Sequence, residues 1–391
     1  MKYVKKLFPP ATIGLIGGGQ LGRMFTFEAK RMGYHVIVLD PKKNSPAGQV
    51  ADEQIVAPFD DEKALFELAS KSEIITYEFE HIDVQAISIL EKAGKRIIPS
   101  SNTLRIIQNK YEQKNFLKAL NVKTTEYFFV NDEEELHHTF FNFNSKCVVK
   151  SCTNGYDGKG NYIVRKREDV HLAMQYFRNL EIFAEAFIDY SMELSIIIIK
   201  CNDGITFYPV SENVHQDNIL IKAVVPAVIS EHTNNKIKKI SEKIVNAFDD
   251  YGVYCIEFFL DKEGEVYVNE IAPRPHNSGH YTIEGCVTSQ YEQLVRVVCG
   301  MNAGSSRLIK PCAMHNVLGN HHVSGEYKIM GLDDLLEMED VHFHLYGKPD
   351  TSNLRKIGHI TAVADTPEIA INKVTEAFQK LRIDERRTGN E

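Results

Sequence analysis

The sequence predicts a mixed fold, in which an N-terminal parallel α/β unit precedes a larger α+β region and a small β-rich C-terminal piece. Residues 11–105 alternate short apolar runs with stretches at helical spacing, as βαβ units do. From about residue 124 strand-like runs dominate, which indicates large antiparallel sheets. A chain of 391 residues is long enough for two or three domains.

The first unit follows from its elements in order. TIGLIG is a buried strand, and QLGRMFTFEAKRMG is a helix that Gly33 ends. HVIVLD and ADEQIVA are the next strands, and DDEKALFELASKS is a helix opened by Asp60 or Asp61. EIITYEFE is a fourth strand, VQAISILEKAG a helix, and RIIPS closes the unit. Strands that alternate with helices predict a parallel sheet.

The later elements change in character. NKYEQKNFLKALN predicts a helix beyond a boundary near residue 106, and the acidic run 132–135 is typical of a solvated helix start. Strand-like runs then extend to about residue 300, interrupted by the helix NNKIKKISEKIVNAF. Beyond a boundary near 305, AMHNVLG, VHFHLYG and IGHITAVA are short strands before a final helix. The predicted domains are therefore 1–106, 107–305 and 306–391.

Composition excludes several classes of function. The net charge of −8 argues against a nucleic-acid-binding surface, because phosphate backbones need a basic one. The longest aliphatic run, residues 196–199, is too short to span a membrane. Seven scattered cysteines without a CxxC spacing indicate reduced thiols, and we expect a cytoplasmic protein.

The first glycine-rich loop fits G-x-G-x-x-G from Gly17 to Gly22, and Asp40 ends the next strand. This pattern is compatible with a nicotinamide cofactor, with a purely structural turn, or with an anionic ligand at a helix N-terminus. The pattern is a weak sign of a nicotinamide cofactor, because many parallel α/β domains need glycines at their first turn, and the anionic ligand is the favoured interpretation.

The second glycine-rich loop, NGYDGKG at residues 154–160, lies between the strand-like runs KCVVKS and NYIVRK. It is not a P-loop, because Asn161 follows Gly160 where Lys and then Ser or Thr would be needed. It is either a plain hairpin turn or a flap whose backbone N–H groups close over phosphates. Lys150, on the preceding strand, would supply a positive charge to such a flap.

Two acidic residues lie on a predicted hairpin. If residues 262–265 form its loop, Asp261 faces Val266 and Glu257 faces Glu270. Adjacent carboxylates on apolar strands repel each other, so either one is protonated, each finds a cation, or the pair binds a metal. Together with Asn269 they are the oxygen ligands that Mg²⁺ prefers. Metal, phosphate flap and lysine predict phosphoryl transfer from ATP.

Six motifs occur in one order along nearly the whole chain: IGGGQLGRM, VLDP, TYEFEHI, NGYDGKG, VNEIAPRPHNSGHYTIEG and YGKP with LRKIGHIT. This set resembles the ATP-grasp superfamily and, within it, the N5-carboxyaminoimidazole ribonucleotide synthetases. The resemblance implies an ATP-grasp fold with an N-terminal parallel α/β (pre-ATP-grasp) domain and a small C-terminal β-rich domain. It also implies a homodimer that uses ATP with Mg²⁺ or Mn²⁺.

The resemblance further implies a reaction in de novo purine biosynthesis. ATP phosphorylates bicarbonate to carboxyphosphate, and the exocyclic amine of 5-aminoimidazole ribonucleotide captures the carboxyl group or the CO₂ released from it. ADP, phosphate and N5-carboxyaminoimidazole ribonucleotide result. The partners are therefore small molecules, with no nucleic acid and no membrane.

Site residues follow from the same resemblance. Lys110 and Lys150 would contact phosphate oxygens, although the family usually has Arg at the position of Lys110. The flap comprises Gly155, Tyr156, Asp157, Gly158, Lys159, Gly160 and Asn161. The adenine and ribose contacts are Glu185, Ala186, Phe187, Ile188, Glu193 and His215. The metal ligands are Glu257, Asn269 and Glu270.

The acceptor side has its own set. Substrate-binding residues are Gln20, Leu21, Glu78, Arg274, His276, Asn277, Ser278, Lys348 and Arg355. Arg274 would also steady carboxyphosphate, and Asp157 would orient or deprotonate the nucleophilic amine.

Four alternatives stay open: a formate-dependent glycinamide ribonucleotide transformylase, a biotin-type carboxylase, a non-catalytic nucleotide sensor and a dehydrogenase. YGKP with LRKIGHIT disfavours the first two. The complete set of charged and metal-binding residues disfavours the sensor.

Overall fold

A computed structural model of the protein describes residues 4–153, 155 and 160–386. The N-terminal region contains a parallel sheet of order β3-β2-β1-β4. Its elements are β1 Thr12–Ile16, α1 Gln20–Arg31, β2 His35–Leu39, β3 Glu53–Ile55, α2 Glu62–Lys71, β4 Ile74–Tyr77 and α3 Val84–Lys92. Gly33 follows α1 with a φ of +86°, a left-handed conformation that ends helices. The predicted parallel α/β unit is confirmed.

Two helices, α4 Ser101–Gln108 and α5 Lys110–Ala119, connect this unit to the rest. The sequence predicted the second and missed the first. Asn109 separates them, because its extended backbone ends α4 while its side chain accepts from the first N–H groups of α5.

A four-stranded antiparallel sheet of order β5-β8-β6-β7 follows. Its elements are β5 Tyr127–Val130, α6 Glu133–Asn142, β6 Cys147–Ser151, β7 Asn161–Val164, α7 Arg167–Tyr176 and β8 Ile182–Ala186. The acidic run does begin a helix, since the Asp132 carboxylate accepts from Glu135 N–H. Apolar residues of α6, α7 and the strands form a separate core that makes this sheet a unit of its own.

Within the described residues, nine strands form one further sheet of order β14-β13-β9-β11-β12-β15-β18-β17, with β10 paired to β9. The first part comprises β9 Tyr190–Cys201, β10 Gly204–Phe207, β11 Ser211–Gln216, β12 Ile219–Val225, α8 Glu231–Ala247, β13 Gly252–Asp261 and β14 Val266–Ala272. The elements that follow are α9 Thr282–Gly285, α10 Gln290–Val298, β15 Cys312–Leu318, β16 Tyr327–Met330, α11 Leu332–Leu336, β17 Val341–Leu345, β18 Lys356–Val363, α12 Pro367–Lys380 and β19 Arg382–Glu385. Of these, β16 and β19 pair with each other in a separate two-stranded sheet. A 3₁₀ turn, Asn277–Gly279, follows β14.

The C-terminal strands β15, β17 and β18 do not form a sheet apart, because β15 pairs antiparallel with β12. They extend the central sheet and add α12 as a cover over one face. The α+β architecture is confirmed, whereas the limits 1–106, 107–305 and 306–391 stay predictions.

The β13–β14 hairpin places Glu257 opposite Glu270, as predicted. The predicted pairing of Asp261 with Val266 is wrong, because Leu260 pairs with Val266. The register shifts by one residue between the Glu257 and Phe258 pairs, so Asn269 is the extra residue of a β-bulge. A bulge re-aims side chains, which lets the consecutive residues Asn269 and Glu270 face the same cavity.

All seven cysteines are buried and unpaired. No helix in the described part of the chain has both the length and the apolar composition required to cross a bilayer.

Candidate active site

A cavity of about 1010 Å³ lies where the parallel sheet, the four-stranded sheet and the central sheet meet. It brings together residues that are far apart in sequence and that the sequence had predicted for one site. The predicted residues on its wall are Gln20, Leu21, Glu78, Lys110, Lys150, Gly155, Gly160, Asn161, Glu185, Ala186, Phe187, Ile188, Glu193, His215, Glu257, Asn269, Glu270, Arg274, His276 and Asn277. Tyr156, Asp157, Gly158 and Lys159 lie outside the described residues.

The loop NGYDGKG connects β6 to β7, which pair through Lys150 and Asn161. Its two described glycines pack backbone against backbone. A Cβ at Gly160 would lie 2.6 Å from the Cα of Gly155, closer than real Cβ contacts allow. The glycines are therefore required at the base of the loop, beside the cavity.

Glu185, on β8, is buried among cations. One of its carboxylate oxygens pairs with Lys150 Nζ, and the other lies 3.0 Å from Lys114 Nζ. Thr125 Oγ1 donates to that second oxygen at 2.6 Å. Burial alone would raise the pKa of Glu185, but Lys114 and Lys150 lower it well below the ordinary value. Glu185 is therefore a permanently charged acceptor on the cavity wall.

Glu257 and Glu270 form a second charged group on β13 and β14. Lys110 Nζ lies 3.0 Å from Glu270 Oε2, and His276 Nε2 lies 3.4 Å from Glu257 Oε1. Burial, and then repulsion from Glu270, raises the pKa of Glu257 to about 7. Lys150 Nζ donates to the Asn269 side chain at 3.3 Å. Because Lys150 also pairs with Glu185, this contact connects the two charged groups. The two carboxylates therefore repel each other in a buried position, and a bound cation would relieve that repulsion.

Arg274, which follows β14, is held in place by Glu80. Its Nε and Nη2 donate to the two Glu80 oxygens at 2.5 and 2.9 Å, and Nη1 donates to the Pro275 carbonyl. Burial would raise the pKa of Glu80, but Arg274 lowers it to about 2. Two of the five guanidinium N–H groups have no partner among the described residues and are available to a ligand.

Glu193 and His215 meet at the far end of the cavity, on β9 and β11. His215 Nδ1 lies 2.8 Å from Glu193 Oε2, and Tyr190 donates to the other oxygen. Burial lowers the pKa of His215, but Glu193 outweighs it and raises the pKa above the ordinary value. The Tyr190 ring stacks on Phe259, with centroids 4.7 Å apart. Carboxylate and imidazole are thus fixed side by side.

The glycine loop before α1 holds a carboxylate of the protein itself. Gly19 and Gly22 N–H donate to the two oxygens of Glu78, and Gly18 N–H donates to Asp40 Oδ2 at 2.8 Å. The sequence favoured an anionic ligand at this helix N-terminus. The Glu78 carboxylate takes that place, because the N–H groups of a helix start attract a nearby negative charge. Asp40 accepts from the loop backbone, so these contacts do not favour a nicotinamide site.

The three remaining predicted residues are not on the cavity wall. Ser278 is buried behind it, where its Oγ lies 2.9 Å from His276 Nδ1 and 2.7 Å from Ser195 Oγ. Lys348 Nζ donates to the Lys356 carbonyl, and Arg355 pairs with Asp350 at 2.8 Å. Lys356, rather than Lys348 or Arg355, faces the cavity.

Several residues on or beside the cavity were missed from the sequence, and three charged ones among them matter for the contacts described here. Glu80 is the second glutamate of the TYEFEHI motif, Lys114 lies four residues after Lys110, and Lys356 follows Arg355. A signal for Lys114 was present, because residues four apart share one face of a helix. Glu80 follows β4, at the carboxyl end of a parallel strand, where ligand-binding residues collect.

Three family models match the chain in succession. They are described as ribonucleotide synthetase preATP-grasp domain (residues 10–108), ATP-grasp domain (residues 115–291) and phosphoribosylaminoimidazole carboxylase C-terminal domain (residues 312–373).

Curated relatives match over nearly the full length. N5-carboxyaminoimidazole ribonucleotide synthase of Bacillus subtilis (strain 168) is 38% identical over 373 residues, which is 95% of this chain and 96% of the relative. The protein of the same name from Staphylococcus aureus (strain COL) is 37% identical over 363 residues, covering 91% and 93% of the two chains.

Solved structures of similarly named proteins also match this chain over nearly its full length. The N5-carboxyaminoimidazole ribonucleotide synthetase from Thermotoga maritima is 41% identical with a TM-score of 0.88, covering 96% of this chain and 100% of the other. The synthase from Aspergillus clavatus, in complex with ADP and 5-aminoimidazole ribonucleotide, is 31% identical with a TM-score of 0.88, covering 96% and 99%. The chain belongs to the N5-carboxyaminoimidazole ribonucleotide synthase family of ATP-grasp enzymes.

Proposed function

We propose that the cavity described above is where this chain performs the reaction of its family. The chain is an ATP-dependent carbon–nitrogen ligase of purine biosynthesis, which carboxylates 5-aminoimidazole ribonucleotide. The observation that supports the location is the meeting of Lys110, Lys150 and the Glu257–Glu270 pair in a single cavity. Phosphoryl transfer requires cationic side chains that bind the phosphates and carboxylates that bind a metal ion.

ATP would lie along β8 and its continuation. Lys110 and Lys150 would contact phosphate oxygens, and Glu185 would accept from the adenine amine beside the backbone of residues 186–188. Glu193 and His215 would bind the ribose hydroxyls. Over the phosphates, the proposed flap comprises Gly155, Tyr156, Asp157, Gly158, Lys159, Gly160 and Asn161. Lys110 offers a point charge where the family usually has the fork of an arginine.

Glu257, Asn269 and Glu270 would hold Mg²⁺, or Mn²⁺ in its place. The residues fit such a cation, because Glu257 and Glu270 face each other across the hairpin and their repulsion adds to burial in raising the pKa of Glu257. No cluster of three or more His, Cys, Asp or Glu side chains among the described residues forms a metal site. Two carboxylates and an amide suit Mg²⁺, which retains waters and phosphate oxygens as further ligands. When bound, it would neutralise phosphate charge and orient the terminal phosphoryl group.

The part of the cavity that would bind bicarbonate and the ribonucleotide lies beside Arg274. A bicarbonate oxygen attacks the γ-phosphorus, the bond to ADP breaks, and carboxyphosphate forms. The two remaining N–H groups of Arg274 would hold its negative charge. Burial, and then Arg274, lowers the pKa of His276 to about 3, so His276 would be neutral beside it. Both polar side-chain atoms of Asn277 are buried without a partner among the described residues, so they are available to a ligand.

The second half of the reaction forms the carbon–nitrogen bond. The ribonucleotide amine attacks the carboxyl carbon, or the CO₂ that carboxyphosphate releases, as phosphate leaves and the amine loses a proton. Asp157, outside the described residues, would orient or deprotonate that amine. Gln20, Leu21, Glu78 and Ser278 would shape the acceptor pocket. Lys348 and Arg355 would clamp the 5′-phosphate.

We further infer a homodimer in the cytoplasm. The dimer is expected from the family resemblance, and the odd, scattered set of cysteines supports a reducing compartment.

The test is ADP release with each candidate acceptor in turn. Purified protein with ATP and Mg²⁺ should release ADP with bicarbonate and 5-aminoimidazole ribonucleotide together, and far less when either is omitted. Glycinamide ribonucleotide with formate is the matched control for the alternative ligase. Equal or faster ADP release with that control pair would refute the proposed function.

A further inference from the structure

Lys114 lies on the same face of α5 as Lys110, because the two residues are four apart on one helix. Its side chain is only 4% exposed. Its Nζ donates to Thr124 Oγ1 at 2.7 Å and Thr125 Oγ1 at 2.8 Å, and lies 3.0 Å from Glu185 Oε2. Every hydrogen of the ammonium therefore has an acceptor, and the group has one fixed position.

Glu185 is shared between two lysines. One oxygen faces Lys114 and the other faces Lys150, so the carboxylate balances only one of two positive charges. Lys150 also reaches Asn269, towards the proposed metal ligands. The group thus retains about one net positive charge beside the cavity, where the proposed site places phosphates. A buried charge of this kind is costly unless an anion completes the balance.

We propose that Lys114 is a positioning residue for Lys150: by occupying one oxygen of Glu185, it prevents Lys150 from being fully neutralised and keeps that ammonium available to nucleotide phosphates. This inference rests on the nucleotide site proposed above. Without Lys114, both oxygens of Glu185 turn to Lys150, the surplus charge disappears, and nucleotide phosphates are held less well.

The pH dependence gives this role a signature. Burial lowers the pKa of Lys114 to about 8, although Glu185 from β8 and Glu270 from β14 oppose the shift; Lys150 from β6 adds to it. Glu185 stays ionised, because its pKa is lowered. As the pH rises through about 8, Lys114 loses its charge, and ADP affinity should fall. An arginine at this position would stay charged and remove that loss.

The experiment compares Lys114→Met, Lys114→Arg and Lys150→Met in the full-length protein. ADP binding with Mg²⁺ is measured by calorimetry from pH 7 to 9.5, and KM is measured for ATP and for the ribonucleotide. Lys118→Met is the matched control, since Lys118 is exposed on the same helix. Thermal unfolding shows whether each variant folds.

Lys114→Met should weaken ADP binding at pH 7.5 roughly 10- to 100-fold, as expected for a lost contact between charged groups. The KM for ATP should rise, the KM for the ribonucleotide should stay within about twofold, and Lys118→Met should match the wild type. Lys114→Arg should restore affinity and flatten the profile above pH 8.

Unchanged ADP affinity in Lys114→Met, with weakened binding in Lys150→Met, would overturn the inference alone. Unchanged affinity in Lys150→Met would instead refute the nucleotide site. If Lys114→Met does not fold, the wild type and Lys114→Arg decide: identical profiles up to pH 9.5 would overturn the inference.

Discussion

Replacing Glu80 with Gln removes the carboxylate that holds Arg274 while keeping the size of the side chain. Both partners are largely buried, with side chains 15% and 17% exposed, so solvent screens the pair little. A pKa lowered from the ordinary 4.5 to about 2 corresponds to roughly 3 kcal/mol of preference for the charged carboxylate. Removing one partner of a buried pair costs about 3–5 kcal/mol, because the other charge is left unbalanced.

Calorimetric unfolding measures this loss. At about 2–4 °C per kcal/mol for a cooperative unit of 150–250 residues, a loss of about 3–5 kcal/mol should lower the midpoint by roughly 6–20 °C. Glu67→Gln is the matched control, since it breaks an ion pair with Lys71 in which Glu67 is 49% exposed. That change should lower the midpoint by less than about 2 °C.

The stabilisation that Glu80 contributes should decrease as the pH falls. The pKa of Glu80 is lower in the folded protein, so its stabilisation is complete above about pH 4.5 and is lost as the pH falls towards 2. The difference between wild type and Glu80→Gln should shrink over that range. A Glu80→Gln midpoint no lower than that of Glu67→Gln at pH 7 would refute the reasoning. Equal turnover in the wild type and Glu80→Gln would also refute it, because Arg274 would then not need Glu80 to hold it in place.

Three further predictions concern the reaction. Chelation with EDTA should abolish ADP release, and excess Mg²⁺ or Mn²⁺ should restore it; turnover that persists after chelation would contradict the metal site. Glu270→Gln should lower kcat roughly 100-fold or more without loss of fold, because metal-bound charge stabilisation is worth several kcal/mol; near-normal kcat would exclude Glu270 as a ligand. Lys348→Ala or Arg355→Ala should raise the ribonucleotide KM about tenfold and leave the ATP KM unchanged, with exposed Lys328→Ala as control; normal values in both would refute the clamp.

The parts of the site that the sequence predicted best depend on local geometry. The pairing of Glu257 with Glu270 followed from counting residues across a short hairpin loop. The same counting failed for Asp261, because a bulge at Asn269 shifts the register. A bulge depends on packing around the active site and leaves no fixed mark in sequence.

Long-range pairing was harder to predict. Nothing in AMHNVLG or IGHITAVA indicates that β15 joins β12, so the C-terminal strands were expected in a piece of their own. Glu80 was missed for a related reason: its partner Arg274 lies 194 residues away. The sequence predicted an anion at the glycine loop before α1, but not that Glu78, which follows β4, would supply it.

The central sheet joins parts of the proposed site that lie far apart in the sequence. The hydrogen-bonded ladder from β14 to β17 ties the carboxylates proposed to bind the metal and the C-terminal strands into one slab. The four-stranded sheet is not part of that ladder, and it is joined to the slab mainly through residues 120–126 and 187–189. A nucleotide that contacts both Lys150 and the Glu257–Glu270 pair would therefore span two separately hydrogen-bonded sheets and hold them together.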